Sequence, residues 1–228
     1  MTLGVRFIRR SGVLISKFIS TILILVYFSQ TAVIVYLIRD RYGLQKIQQD
    51  QESQIKEQQS KINELEEKLK ILKIIEDFQV GFKDQEIKEL TSVIYDESKK
   101  YGYDPLLILS LILTESQFRN GQTSEMGALG LMQMKPSIGY DLCQRRGLAW
   151  KGELSLFEPA YNIQLGSLYL FELILKFKDV KKAIIAYNVG ENALKLRLKA
   201  GGKPPTYFLS QVVKKYKELK AKYDLPKS

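Results

Sequence analysis

The sequence predicts a mainly α protein in three parts: a membrane-spanning helix, a coiled-coil stalk and a compact helical domain. Three observations carry this reading. Residues 18–38 form an unbroken run of 21 uncharged residues. Residues 44–76 contain neither Pro nor Gly and repeat apolar side chains every seven positions. From residue 83 onward the apolar positions recur at helical spacing, and no stretch of comparable length alternates as a strand would.

The uncharged run, FISTILILVYFSQTAVIVYLI, reaches the roughly 20 residues that a helix needs to cross a bilayer core. Arg6, Arg9, Arg10 and Lys17 precede it, whereas Arg39 and Arg41 follow it with Asp40 between them. The positive-inside tendency therefore places residues 1–17 in the cytoplasm and everything after Tyr42 outside. The expectation is a single-pass protein of the inner membrane with its domain in the periplasm or an equivalent extracytoplasmic space. No small-residue cleavage site follows Ile38, which favours an uncleaved anchor.

In the stalk, Ile55, Ile62 and Leu69 form one heptad row and Leu65 with Leu72 the companion row, while Gln51 and Gln58 weaken its start. A lone helix with so narrow a stripe gains little stability, so a homo-oligomer through this seam is expected. In the domain, residues 83–228, Ile87, Leu90, Val93 and Ile94 mark a first helix ending at Gly102. Asp104 is a ready N-cap with Pro105 at the first helical position, and LLILSLILTES then reads as the buried central helix. Pro159 opens a helix that carries Asn162, Gly166 and Leu170 on one face. Asp179 caps another that stops at Gly190, and a basic helix follows the break at Gly201, Gly202, Pro204 and Pro205.

Composition narrows the chemistry. The chain has no His and one cysteine, Cys143, so an internal disulfide, a cysteine zinc cluster and a nucleophile relayed through His are all excluded. No metal and no cofactor is expected, and hydrolytic chemistry has to rest on carboxylates, Lys, Tyr or the substrate. The formal charge of +10 is uneven, at +5 over 1–41, −5 over 42–175 and +10 over 176–228. The lysines of the last segment lack interleaved aromatics, which speaks against nucleic acid as a partner.

Glu115 lies in the last turn of the most apolar helix, beside Leu111, Ile112 and Phe118. Desolvation there raises a carboxyl pKa, and an acid kept protonated near neutrality is what protonating a glycosidic oxygen requires. Downstream, Gly127 and Gly130 bend a loop that carries Met132, Gln133 and Met134. Later come EPAYNIQLGSLYL and AIIAYNVGEN.

Glu115-Ser116, Gly127-Ala128 with Gly130-Leu131-Met132-Gln133, Asn162 with Gly166, and Ala186-Tyr187-Asn188 with Gly190 occur in order over about residues 85–216. Together they resemble the goose-lysozyme-like lytic transglycosylase family, the transglycosylase SLT domain. The resemblance implies a lysozyme-like domain that acts on peptidoglycan glycan strands. It makes Glu115 the general acid and then the general base, with Ser116 supporting the local turn. Ser124 would orient the substrate or the glutamate, Met132 and Gln133 would line the glycan groove, Tyr187 would place its hydroxyl near the site, and Asn188 would hold the adjoining turn. Asn162 and Gly166 would pack beneath them, as Gly127 and Gly130 shape the loop.

Many relatives carry a Glu-Thr pair before a C-terminal Tyr, where this chain has Pro204-Pro205-Thr206-Tyr207. No second carboxylate is supported by a motif. The resemblance therefore implies non-hydrolytic cleavage of the MurNAc–GlcNAc β-1,4 bond, in which the 6-hydroxyl of MurNAc closes to a 1,6-anhydro end. A hydrolytic muramidase on the same fold, or a non-catalytic wall-binding tether, are the alternatives.

Overall fold

The computed structural model describes residues 3–223, with side chains from Lys17 onward. Arg6, Arg9 and Arg10, on which the orientation of the 1–17 segment was argued, and the last five residues of the 83–228 stretch lie outside the described side chains. The chain divides into two compact units, Met1–Ile62 and Asn63–Ser228, with the division inside one helix, α1 (Leu3–Phe78).

The first unit is helical throughout its described length, and it contains a window of mean hydropathy 2.1, long and apolar enough to cross a membrane. Its diluting polar residues are turned back on the helix. Thr21 donates to the Lys17 carbonyl at 2.8 Å, Ser29 to that of Val26 at 2.8 Å and Thr31 to that of Phe28 at 2.9 Å. Each hydroxyl is thereby satisfied without water, which is the condition for carrying it inside hydrocarbon. Farther along, Leu44, Ile47, Ile55 and Ile62 are exposed.

The second unit begins with the last four turns of α1. Ile71, Ile74 and Ile75, at i, i+3 and i+4, share one helix face and are fully buried in the domain core. Glu67 on the same side pairs with Lys99 at 2.6 Å, and Asp77 pairs with Lys222 at 2.7 Å and accepts from the Tyr223 hydroxyl. The sequence pattern placed the start of the domain at 83, but its core reaches back to 71. The difference has a physical cause: these isoleucines lie off the heptad rows, of which Leu65 and Leu69 stay exposed while the last member, Leu72, packs against the domain core, so the seven-residue repeat masks the second apolar face.

Then follow α2 (Asp84–Tyr101), α3 (Pro105–Glu115), α4 (Pro136–Arg146), a 3-10 turn (Glu153–Phe157), α5 (Pro159–Phe177), α6 (Val180–Val189), α7 (Glu191–Lys199) and α8 (Tyr207–Tyr223). The domain is mainly α as the sequence indicated; among the described residues β-pairing is confined to isolated bridges in and beside the loop after α3. Asp104 caps α3 as expected, accepting from Leu106 N at 2.9 Å, with Pro105 in the first turn. Leu106, Ile108, Leu109, Leu111 and Ile112 have no exposed surface, so α3 is the buried axis of the domain. α8 lies along it and closes its N-terminal end through the Tyr216 hydroxyl, which donates to Asp104 Oδ2 at 2.5 Å. α5 packs between α2 and α6.

Candidate active site

α3 ends where its apolar run ends. Ser116 caps it with its backbone N–H, 2.9 Å from the Ile112 carbonyl, and with its hydroxyl, 3.1 Å from the same oxygen. Gln117 and Phe118 then both take the left-handed conformation, at φ 55° and 57°, which turns the chain sharply and drives Phe118 into the core. Left-handed backbone at two consecutive non-glycine residues is uncommon, and here the buried ring holds it.

Glu115 is carried on this last turn. Protein surrounds most of its carboxyl while part of its surface stays open, the combination a proton donor to an incoming ligand requires. Burial pushes its pKa up to about 7.

The loop after α3 is built on hydrogen bonds of its own. Leu129 and Met134 exchange backbone bonds of 2.9 and 3.0 Å, and Gly130 N donates to the Gln122 carbonyl at 2.9 Å. Gly127, Gly130 and Gln133 have φ of 73°, 77° and 47°. At Gly130 the need for glycine is also steric: a Cβ would lie 2.3 Å from the Leu156 carbonyl and 2.4 Å from Asn162 Nδ2.

Asn162, fully buried on α5, is the clamp. Its Oδ1 accepts from Met132 N at 2.7 Å, and its Nδ2 donates to the carbonyls of Leu129 and Leu156, both at 2.8 Å. One turn on, Gly166 leaves the notch that seats Met132, whose Sδ would be 2.6 Å from an added Cβ. From the other side the Tyr187 hydroxyl donates to the Met132 carbonyl at 2.9 Å and lies 3.4 Å from Met134 Sδ. Burial holds the Tyr187 phenol well above its ordinary pKa, and the nearby Glu115 charge raises it further, so the phenol is a fixed neutral donor.

The structure thus brings Glu115, Met132, Gln133, Asn162, Gly166 and Tyr187 into one assembly, with some side chains placed otherwise than the resemblance implied. Met132 has no exposed surface and acts as a peg in the Gly166 notch, so its side chain forms no groove wall. Gln133 donates from Nε2 to the Gln122 carbonyl at 3.1 Å and to that of Gly130 at 2.8 Å, which fixes its amide to the loop. Ser124 Oγ accepts from Ala128 N at 2.9 Å and so closes the turn around Gly127. Asn188 is exposed at the end of α6, where the turn is carried by the 2.8 Å bond from Gly190 N to the Ala186 carbonyl.

Two features went unread in the sequence. Tyr169 packs on Tyr187 with ring centroids 5.3 Å apart, and the buried Glu172 of α5 binds both arginines at the end of α4. A carboxylate at helical spacing from Leu165 and Tyr169, on an otherwise apolar face, is the signal that could have found the second.

A mostly buried carboxyl at a helix end, near a buried phenol that is bonded to the loop after α3, is an arrangement able to hold a proton near neutrality. The Transglycosylase SLT domain family model matches residues 92–209, just over half of the chain, and the chain belongs to that family. It is 34% identical over 95 residues to the "Transglycosylase" of Enterobacteria phage PRD1, which covers 42% of this chain and 32% of that protein. It is 45% identical over 74 residues to the "Endo-type membrane-bound lytic murein transglycosylase A" of Klebsiella pneumoniae, covering 31% of this chain and 36% of the relative. The chain thus spans about a third of the length of these relatives. A solved lytic transglycosylase Slt of Pseudomonas aeruginosa aligns with a TM-score of 0.47 at 22% identity, over 60% of this chain and 24% of that one.

Proposed function

We propose that this protein is a peptidoglycan lytic transglycosylase that cleaves the MurNAc–GlcNAc β-1,4 bond with Glu115 as its acid and base. The observation that carries the reading is the Glu115 carboxyl, lifted to about 7 by burial and close enough to act on Tyr187, whose hydroxyl holds the Met132 carbonyl, in a chain of the SLT family. The protonated carboxyl gives its proton to the glycosidic oxygen as the bond to C1 breaks. The 6-hydroxyl of the same MurNAc then bonds to C1 from across the ring and loses its proton to the Glu115 carboxylate. This leaves a 1,6-anhydro end, restores the acid and consumes no water. Burial is the only cause of the Glu115 shift, so no neighbouring carboxylate enters its electrostatics, in keeping with a reaction whose nucleophile comes from the substrate. Ser124, Gln133 and Asn188 remain the residues assigned to the strand-facing surface, with Tyr187 holding the loop from within through its bond to the Met132 carbonyl and Ser116, Gly127, Gly130, Asn162 and Gly166 in support.

The reading extends to the whole chain. The apolar helix is assigned as a single inner-membrane span with residues 1–17 in the cytoplasm, which puts the domain against the wall. The exposed seam of Ile55, Ile62, Leu65 and Leu69 is assigned to self-association, since its sequence register sets Lys61 at g facing Glu66 at e of a parallel partner.

Mass spectrometry of muropeptides released from purified sacculi tests the chemistry. Anhydro ends are expected, and Glu115→Gln lowers their release by at least about 100-fold, the scale of general acid–base catalysis. Reducing ends instead would make the protein a hydrolytic muramidase, and digestion undiminished by the substitution would leave only a wall-binding tether.

A further inference from the structure

We infer that the self-association seam of α1 continues into its apolar run, where the Gln30 amides of two copies of this chain bond to each other in the bilayer core. This extends the stalk pairing assigned above and rests on the run's being a membrane span.

The polar side chains of the run fall into two kinds. Thr21, Ser29 and Thr31 each donate to a carbonyl of their own helix. Gln30, between two of them, is exposed on the helix surface and makes no hydrogen bond among the described residues. The chemistry of the side chains explains the difference. A hydroxyl can donate to a carbonyl that already serves the helix. An amide also carries an acceptor oxygen, and in the middle of a helix every backbone N–H is engaged.

Depth makes this matter. Gln30 lies two residues from the middle of the 21-residue run, ~3 Å of helix rise, and eight residues, ~12 Å, from its nearer end. Its side chain is too short to bring the amide out to water from there, and an unpaired amide in hydrocarbon is heavily penalised. A second copy supplies what is missing: each amide donates to the oxygen of the other, and one contact satisfies both.

Register points to the same partner. Counted back in sevens from Gln58 and Gln51 of the stalk, the companion row passes through Leu44, Leu37 and Gln30. The first row, counted back from Ile62 and Ile55, reaches Ile34 and Tyr27. The helix is unbroken over 27–62, all within the first compact unit, so the count is not reset between stalk and span. The first row turns polar at Arg41 and Gln48, where the helix leaves the run, and is apolar again in the stalk. A strict seven-residue repeat stays in line when two helices wind around each other left-handed, the sense common among helix pairs in membranes. A copy of the same chain presents the same rows at the same depth, and the stalk seam holds it parallel.

The test uses the full chain in vesicles of phosphatidylethanolamine and phosphatidylglycerol. Two quantities are read: the dimer dissociation constant, from energy transfer between C-terminally labelled chains on dilution in lipid, and disulfide formation by single introduced cysteines on oxidation. Cys143 is buried and does not compete. Gln30→Leu is expected to raise the dissociation constant about fivefold, the scale of one or two interhelical hydrogen bonds in a bilayer. Gln30→Asn, which keeps the amide on a shorter stem, recovers part of the loss. Ile34→Cys and Leu37→Cys, on the two rows, link readily, and Val35→Cys, off both rows, does not. A dissociation constant unchanged by Gln30→Leu, or linking at Val35→Cys as strong as at Ile34→Cys, overturns the proposal and leaves association to the stalk. Extraction of the membranes at alkaline pH checks the span by itself. Release of the chain would sink the span and this pairing together, whereas retention with an unchanged dissociation constant sinks the pairing alone.

Discussion

At Glu115 the fold holds a carboxyl at an energetic disadvantage whose pH dependence can be worked out. In the unfolded chain the group titrates near its ordinary value of about 4.3, and in the folded one near 7. Below pH 4 both states hold the proton and burial costs little. Between the two values only the unfolded state releases it, so stability falls as pH rises, and above 7 the full penalty applies. The shift corresponds to on the order of 3–4 kcal/mol. Glu115→Gln should therefore be the more stable protein at pH 8 by about that amount and equal to wild type at pH 4, as read from denaturant midpoints. Turnover should fall with rising pH above about 7 as the proton donor is lost, in a pH–rate profile of kcat/KM. The setting of Glu115 was legible because Leu111, Ile112 and Phe118 flank it in the sequence. The directions of Met132 and Ser124 were not, because they follow from positive φ at Gly127, Gly130 and Gln133, and local composition does not encode which residues of a loop adopt it.

Between elements, the site depends on α5 gripping the loop after α3. Asn162→Ala removes one acceptor and two donor bonds and strands Met132 N and Leu156 O away from water, while Leu129 O keeps its bond from Met134 N. At ~1–3 kcal/mol for an unsatisfied buried group, the expected loss is on the order of 4 kcal/mol, or roughly 10 °C in Tm, with activity falling as the loop loosens. Gly130→Ala should cost a comparable amount, since the clash is with a backbone carbonyl and the left-handed φ adds strain. Calorimetry of both variants checks this, and a melting curve unchanged in either would remove the clamp from the account. The i, i+4 spacing of Asn162 and Gly166 marked a shared face in advance. What that face holds was hidden, because the partners come from residues 129–132 and 156 and meet it only in the folded domain.

On the scale of the whole chain, the expectations concern sidedness and self-association. Protease added to intact spheroplasts should digest the domain, and protection of it would reverse the assigned orientation. Ile62→Cys should give a disulfide-linked dimer on mild oxidation in membranes, because the native Cys143 is buried and does not compete. Monomer persisting at this position and at an Ile55→Cys site would remove the seam as an interface. The long apolar helix was legible from the uncharged run of residues. The second apolar face of α1 was not, because Ile71, Ile74 and Ile75 read as a continuation of the stalk until α2 and α8 are seen against that helix.

That second face bears on shedding. A protease cutting α1 upstream of Asn63 would liberate the domain with its fold whole. A cut between Ile75 and Phe78 would instead detach three isoleucines worth ~1.5–3 kcal/mol each, a large part of what a domain of this size has to spare. Release and loss of the fold would then be one event at that end of α1, so the packed end of the helix doubles as a safety catch.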